Sequence, residues 1–317
     1  MSNIHSNIFK FNKKSLAKAI KYLNNNEIVS VPTETVYGLA GNAYSSKAVK
    51  RIFKLKKRPK VNPLIVHYHS FDKAKKDVII SKDFEKLYKK FCPGPITFVL
   101  KKKIDSKISN NVTAGMNTVA IRFPKHTLIR KILRYLKYPL AIPSANQSSR
   151  LSTVSPLGVW QEFKDKVKMI FDGGESSIGI ESPVLDLSGK IKILRPGFIQ
   201  AKELSKVLKK KIYLAKKHKF IRSPGLIKLH YSTGIPVYLN AKKASKNQAF
   251  ITFGKGKQMK NTFYLSEKSN LKKAAKNLYK LLREIKNKKY KRVYITKIPY
   301  KGLGIALNDR LKKAAYK

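Results

Sequence analysis

The chain has 317 residues, with 70 lysines and arginines against 17 aspartates and glutamates, a formal net charge of +53, and a hydrophobic content of 42%. That apolar content is enough for packed cores and excludes disorder throughout; the length suits two domains. The single cysteine, Cys92, excludes a disulfide framework and Cys-rich zinc or iron–sulfur sites. No apolar run approaches the roughly 20 residues of a membrane helix, and the polar N-terminal stretch lacks a signal-peptide core, so a cytoplasmic location is expected. Counting gives 11 arginines and 59 lysines. A lysine excess spread along the whole chain has a compositional explanation as good as a functional one. As a surface it attracts RNA, nucleotides and anionic lipids, an attraction that salt weakens.

In chain order, Leu16, Ile20 and Leu23 mark a helical face. Ile28 to Val31 reads as a strand stopped by Pro32. Val49, Ile52, Phe53 and Lys56 continue a helix capped at Ser45-Ser46. Leu64 to Val66 is a buried-type strand. Phe84, Leu87, Tyr88 and Phe91 form a helical face that Cys92-Pro93-Gly94-Pro95 breaks. Ile96 to Leu100 and Val119 to Phe123 are strands, and Ile129, Ile132, Leu133 and Leu136 another helical stripe. Val167 to Phe171, Val184 to Leu187 and Ile191 to Leu194 follow as strands. This mixture predicts an α/β domain over 1–208. Lysine-rich, aperiodic sequence and the turn Ser223-Pro224-Gly225 predict a linker over 209–235. A small second α/β domain is expected over 236–317, with strands at 235–239, 249–253, 262–265 and 293–296. Leu271, Leu278, Leu281, Leu282 and Ile285 line its long helix, and a final helix follows Gly302-Leu-Gly304.

Common catalytic motifs are missing. There is no phosphate loop ending in Gly-Lys-Ser/Thr and no Gly-x-Gly-x-x-Gly after the first strand. His67 and His69 lie on one face of a strand end, but no third metal ligand accompanies them. Cys92, at a helix end, reads as a structural thiol. Of the few acids, Glu34, Asp172, Glu175 and Glu181 stand near turns, where structural roles are as good an explanation as chemistry.

Four polar clusters end predicted strands, where ligands bind in open α/β sheets. They are Pro32-Thr-Glu-Thr-Val-Tyr-Gly-Leu39; Lys56-Lys-Arg58-Pro59 with Asn62-Pro-Leu-Ile-Val-His67; Thr118-Val-Ala-Ile-Arg122 with Pro143-Ser-Ala-Asn146; and Gly179-Ile-Glu-Ser182 with Leu194-Arg-Pro-Gly197. Arginine beside a strand is costly unless paired, so Arg122 and Arg195 are expected to face a bound anion in a chain with few acids to spare.

These clusters resemble, in order, the motifs of the YrdC-like family of threonylcarbamoyl-AMP synthases in its long two-domain form. Phe91-Cys-Pro-Gly-Pro-Ile-Thr-Phe98, Val112-Thr-Ala-Gly115, His230-Tyr231 and Gly304-Ile-Ala-Leu-Asn-Asp-Arg310 match further landmarks, so the resemblance covers nearly the whole chain. Lys57 and Ser149 stand where the family usually has glycine, and Pro183 where it has threonine. The resemblance implies a twisted mixed-sheet N-terminal domain and a smaller Rossmann-like α/β C-terminal domain. It implies condensation of L-threonine, bicarbonate and ATP to threonylcarbamoyl-AMP and pyrophosphate, with Mg2+ arriving on ATP. A transferase complex then modifies tRNA with the product. By motif, Thr35, His67, Arg122, the Ile142 carbonyl and Ser182 hold threonine. Lys56 and Arg58 carry the catalytic weight. Arg58, Asn62, Thr118, Ser144, Asn146, Ser152 and Arg195 hold ATP, and Tyr231 folds over as part of a lid. Joining anions calls for positioning and positive charge more than for a strong base. The rival readings are an RNA-binding module, since YrdC-like domains also resemble RNA-binding folds with a basic concave surface; a different carbamoyl-chemistry enzyme, whose Cys-rich zinc modules a single cysteine excludes; and a plain α/β nucleotide binder.

Overall fold

The computed structural model describes residues 7–215, 231–256 and 259–315. The first part runs β1 (Ile8–Lys10), α1 (Lys13–Asn24), β2 (Val29–Val31), β3 (Gly38–Asn42), α2 (Ser46–Lys56), β4 (Ile65–His67), α3 (Phe71–Lys75) and α4 (Lys82–Phe91). It continues β5 (Thr97–Lys101), α5 (Asn110–Thr113), β6 (Thr118–Arg122), α6 (Thr127–Tyr135), β7 (Leu140–Ala141), α7 (Pro156–Phe163), β8 (Ile170–Asp172), β9 (Val184–Asp186), β10 (Lys192–Arg195), α8 (Ala201–Leu208) and β11 (Tyr213–Leu214). The eleven strands make one mixed sheet in the order β1-β8-β2-β3-β7-β4-β6-β5-β9-β10-β11. β4 pairs parallel with β6, and β5 parallel with β9, while β5 and β6 are antiparallel.

Alternation along the strands sorts the side chains onto two faces. Val66, Phe98, Ile121, Leu185 and Ile193 point into the main core, beneath α2 and α4 residues such as Ile52 and Phe84. Ile65, Val99, Ala120, Val184 and Leu194 form a small cluster on the other face. His67, Arg122 and Thr97 continue that second row to its end, since His67 and Thr97 both pair with Arg122.

The second part comprises β12 (Val237–Leu239), β13 (Ala249–Phe253), β14 (Thr262–Ser266), α9 (Leu271–Asn287), β15 (Val293–Ile295) and α10 (Gly304–Ala314). Its four strands are all parallel, in the order β12-β15-β13-β14. The faces of α9 and α10 cover them, with Leu278, Leu282 and Leu307 fully or almost fully buried. Parallel strands joined through a helix give the expected Rossmann-like character.

Two features differ from the sequence reading. The first sheet runs on into the stretch predicted as linker, because β11 pairs with β10 through Lys192 and Ile193. β1, β3, β7, α3, α5, α7 and α8 had no distinct signal. Ser223-Pro224-Gly225 and His230 lie outside the described residues. No helix among the described residues is long and apolar enough to cross a membrane.

Candidate active site

At the end of the second sheet face, loops from three regions close over Arg122. Thr35, Arg58, His67, Arg122, Ile142, Ser144, Ser182 and Arg195 line one cleft together with Val36, Ile65, Pro143 and Glu181. It encloses about 460 Å³, counting its open mouth. All five residues assigned to threonine thus share one cavity with three of those assigned to ATP.

Arg122 does not rely on a bound anion for a partner, contrary to expectation. Its Nη2 donates to Glu34 Oε1 at 2.7 Å and its Nη1 to the Thr35 hydroxyl at 2.8 Å. Glu34 also accepts from the backbone N–H of Lys125 and of His126. Burial pushes the Glu34 carboxyl up, but the Arg122 charge and these hydrogen bonds hold it below the usual carboxylate value. Arg122 Nε remains buried without a partner.

His67 follows Arg122 in the row. Its Nδ1 lies 3.2 Å from the Ile65 carbonyl, and its Nε2 is buried without a partner. Burial, then the Arg122 charge, holds its imidazole well below its ordinary value, so it is neutral at physiological pH. Thr97, given no role by the motif that contains it, supports the opposite wall: its hydroxyl sits 2.8 Å from that of Ser182. Arg195 donates from Nε to the Ser182 carbonyl at 3.0 Å.

Arg58 is fixed at the far end. Nε donates to the Asn62 carbonyl (2.8 Å), and Nη2 to Asn62 Oδ1 (2.6 Å) and the Pro63 carbonyl (2.8 Å). Burial and the nearby Arg195 cation bring it down to about 9, still charged at neutral pH. Asn62 therefore orients Arg58 and stands outside the cleft lining. Lys56 also lies behind it, fully buried, with Nζ donating to the carbonyls of Ser144 (2.5 Å) and Asn146. Burial, then the charge of Arg58, draws its ammonium well below the ordinary lysine value.

Asn146 is held by its own loop, donating to the Gln147 and Arg150 carbonyls, with Oδ1 buried and unpartnered. Thr118 begins β6, on the same face as Arg122 but at the other end of the strand. Ser152 donates to Glu181 Oε1 at 2.5 Å. Tyr231 is fully buried against the second domain, stacked on Tyr279 at 5.7 Å, and is not part of the cleft lining. Cys92, half-buried, has its thiol pushed up to about 12 by burial, in keeping with a structural thiol.

Lys57 and Ser149, where the resemblance implies glycine, both fall on left-handed backbone. Lys57 ends α2 at φ 50°, and Ser149 has φ 66°.

Two family profiles divide the chain. One, described as telomere recombination, matches residues 21–197; the other, described as threonylcarbamoyl-AMP synthase, C-terminal domain, matches residues 199–316. The chain is similar to a threonylcarbamoyl-AMP synthase of Pyrococcus abyssi, 35% identical over 94% of this chain and 93% of the relative. It is also similar to one of Bacillus subtilis, 33% identical over 96% and 94%. Its fold is similar to that of a crystal structure of P. abyssi Sua5 complexed with L-threonine, with a TM-score of 0.89 at 32% identity over 97% of each chain. Profiles on both halves, and relatives matched over more than nine-tenths of their length, lead to one conclusion: the chain belongs to the threonylcarbamoyl-AMP synthase family, in its long two-domain form.

Proposed function

We propose that this cleft condenses L-threonine, bicarbonate and ATP into threonylcarbamoyl-AMP and pyrophosphate, for transfer onto tRNA by a separate transferase complex. The observation that carries the reading is the convergence of Arg58, Arg122 and Arg195 with Thr35, His67 and Ser182 in one cleft. Support also comes from the relatives' activity and the threonine complex of the P. abyssi protein.

In this reading, Arg122 Nε, buried and still a free donor, meets the threonine carboxylate, while Glu34 and Thr35 hold the guanidinium at the required angle. Neutral His67 accepts from the threonine hydroxyl or amine through Nε2. The amine combines with bicarbonate, losing water, and leaves a carbamate. A carbamate oxygen then attacks the α-phosphorus of ATP, and the bond to the β-phosphate oxygen breaks to release pyrophosphate. No strong base is needed; the cost lies in bringing anions together, and the fixed cations Arg58 and Arg195 lower it. Lys56 acts from behind, by tying the Ser144–Asn146 loop to the end of α2.

Magnesium would arrive with the triphosphate. Glu181 in the cleft lining and Glu34 behind Arg122 are already engaged, by Tyr279 and Arg310 and by Arg122 respectively. The donor set therefore fits a metal held by ATP oxygens and its own water. The test is pyrophosphate release from ATP and bicarbonate with and without L-threonine. Threonine-dependent release is expected. Its absence in folded protein would favour the RNA-binding module.

A further inference from the structure

The run Gly304 to Arg310 carries no step of this chemistry, yet its arginine is fully buried at the junction of the two domains. Arg310 Nε lies 3.3 Å from Glu181 Oε2, its Nη2 donates to the Glu181 carbonyl at 3.3 Å, and its Nη1 to the Pro196 carbonyl at 2.6 Å. Tyr279, from α9, donates its hydroxyl to Glu181 Oε2 at 2.9 Å. Arg283, also on α9, donates to the carbonyls of Leu151 and Ser152.

The backbones are close as well. Gly179 has φ +84°, and a Cβ there would stand 2.5 Å from the Lys276 Cα, so only glycine lets this loop lie against α9. Val36, Leu151, Val154 and Ile180 of the first domain share one apolar cluster with the core of the second. The second domain thus grips the residue before Ser182 and the residue after Arg195. Ser182 and Arg195 both line the cleft, and they are hydrogen-bonded to each other.

We infer that Arg310 and Tyr279 are positioning residues: through Glu181 and Pro196 they set Ser182 and Arg195 for substrate, making the second domain a structural wall of the active site. The inference rests on the proposed function. A fork of guanidinium donors meeting two backbone carbonyls and a carboxylate fixes orientation, which a single ammonium cannot reproduce. The residues that line the cleft all come from the first domain, so in this reading the second contributes through geometry.

The test is steady-state kinetics and calorimetric L-threonine binding on full-length Tyr279→Phe and Arg310→Lys, beside Ile251→Val. Ile251 is fully buried in the second domain's sheet, and its side chain makes none of the junction's polar contacts. The inference predicts that threonine affinity falls at least fivefold in Tyr279→Phe and further in Arg310→Lys. The KM for threonine should rise accordingly, with kcat at saturation changed less than twofold. Ile251→Val should lower the melting temperature and leave affinity unchanged. If Tyr279→Phe behaves as Ile251→Val does, the junction merely stabilises and the inference is overturned. Should Arg310→Lys not fold, Tyr279→Phe, which keeps the ring stacked on Tyr231, decides alone. A wild type without threonine-dependent pyrophosphate release overturns the reading of function and this inference with it; an active wild type matched by the variants overturns the inference only.

Discussion

Arg122 and Glu34 form the most consequential pair in the first domain, because both are buried and each answers for the other's charge. Glu34→Gln leaves the guanidinium uncompensated and is expected to lower unfolding stability by about 3 kcal/mol at pH 7, read by urea denaturation. The sign of the pH effect follows. Glu34 is held below its ordinary 4.5, so its contribution is complete above that pH and is lost as pH falls through the folded value. The gap between wild type and Glu34→Gln should therefore close in acid. His67 adds a loss that begins as pH falls below its ordinary 6.5, because the unfolded chain takes up a proton that the buried ring resists. Lys57 and Ser149 carry the opposite kind of cost. A side chain at left-handed φ is strained, so Lys57→Gly and Ser149→Gly should each raise stability by about 0.5–1 kcal/mol after the entropy of glycine is discounted. The family resemblance implies glycine at both positions; that both sit at positive φ emerges only from the structure. Arg122's partner was likewise out of reach. Glu34 lies 88 positions away, and the strand register that joins them is tertiary.

At the scale of elements, the site depends on register. His67, Thr97 and Arg122 share a row because β4, β5 and β6 pair as they do, and a slip of one residue would turn all three into the helix-covered core. Thr97→Val keeps strand propensity and removes the hydroxyl beside Ser182, so the KM for threonine is expected to rise about three- to tenfold, the worth of one buried hydrogen bond. Long helices and strongly apolar strands were legible: α2 with its Ser45 cap, α4, α6 and α9, and the strands carrying Val66 and Ile121. β3 was not, since Gly-Leu-Ala-Gly-Asn has little strand propensity and is held by its neighbours on both sides. α7 and α8 are eight residues each and too short for a clear period, although Ser155-Pro156 and the Gln200–Glu203 capping box mark their starts. β11 is two exposed residues at the sheet edge, in lysine-rich sequence. The cleft residues were legible through motifs in order, whereas the Thr97 support and the Arg310 junction emerge only from packing.

Over the whole molecule, the charge separates by residue type. Lysines outnumber arginines 59 to 11 by count, yet the three cations lining the cleft are all arginines. A purely compositional origin would favour lysine there, so guanidinium geometry is what the site requires. The lysines, being mostly on the surface, should behave as a diffuse field. RNA retention at low ionic strength is expected to show no sequence preference and to vanish by about 0.5 M salt, as phosphate contacts are screened. Threonine affinity should change less than threefold over the same range, because the buried pairs around Arg122 are shielded from salt. The central claim is that three fixed arginines assemble threonine, bicarbonate and ATP without an acid–base pair. Its most direct test is mass-spectrometric detection of threonylcarbamoyl-AMP in reactions omitting each substrate in turn, with wild type and Arg58→Ala. The account predicts product only when all three are present, at a rate about 10²-fold or more lower in Arg58→Ala. Product formed without threonine or bicarbonate, or an undiminished rate in Arg58→Ala, would contradict it.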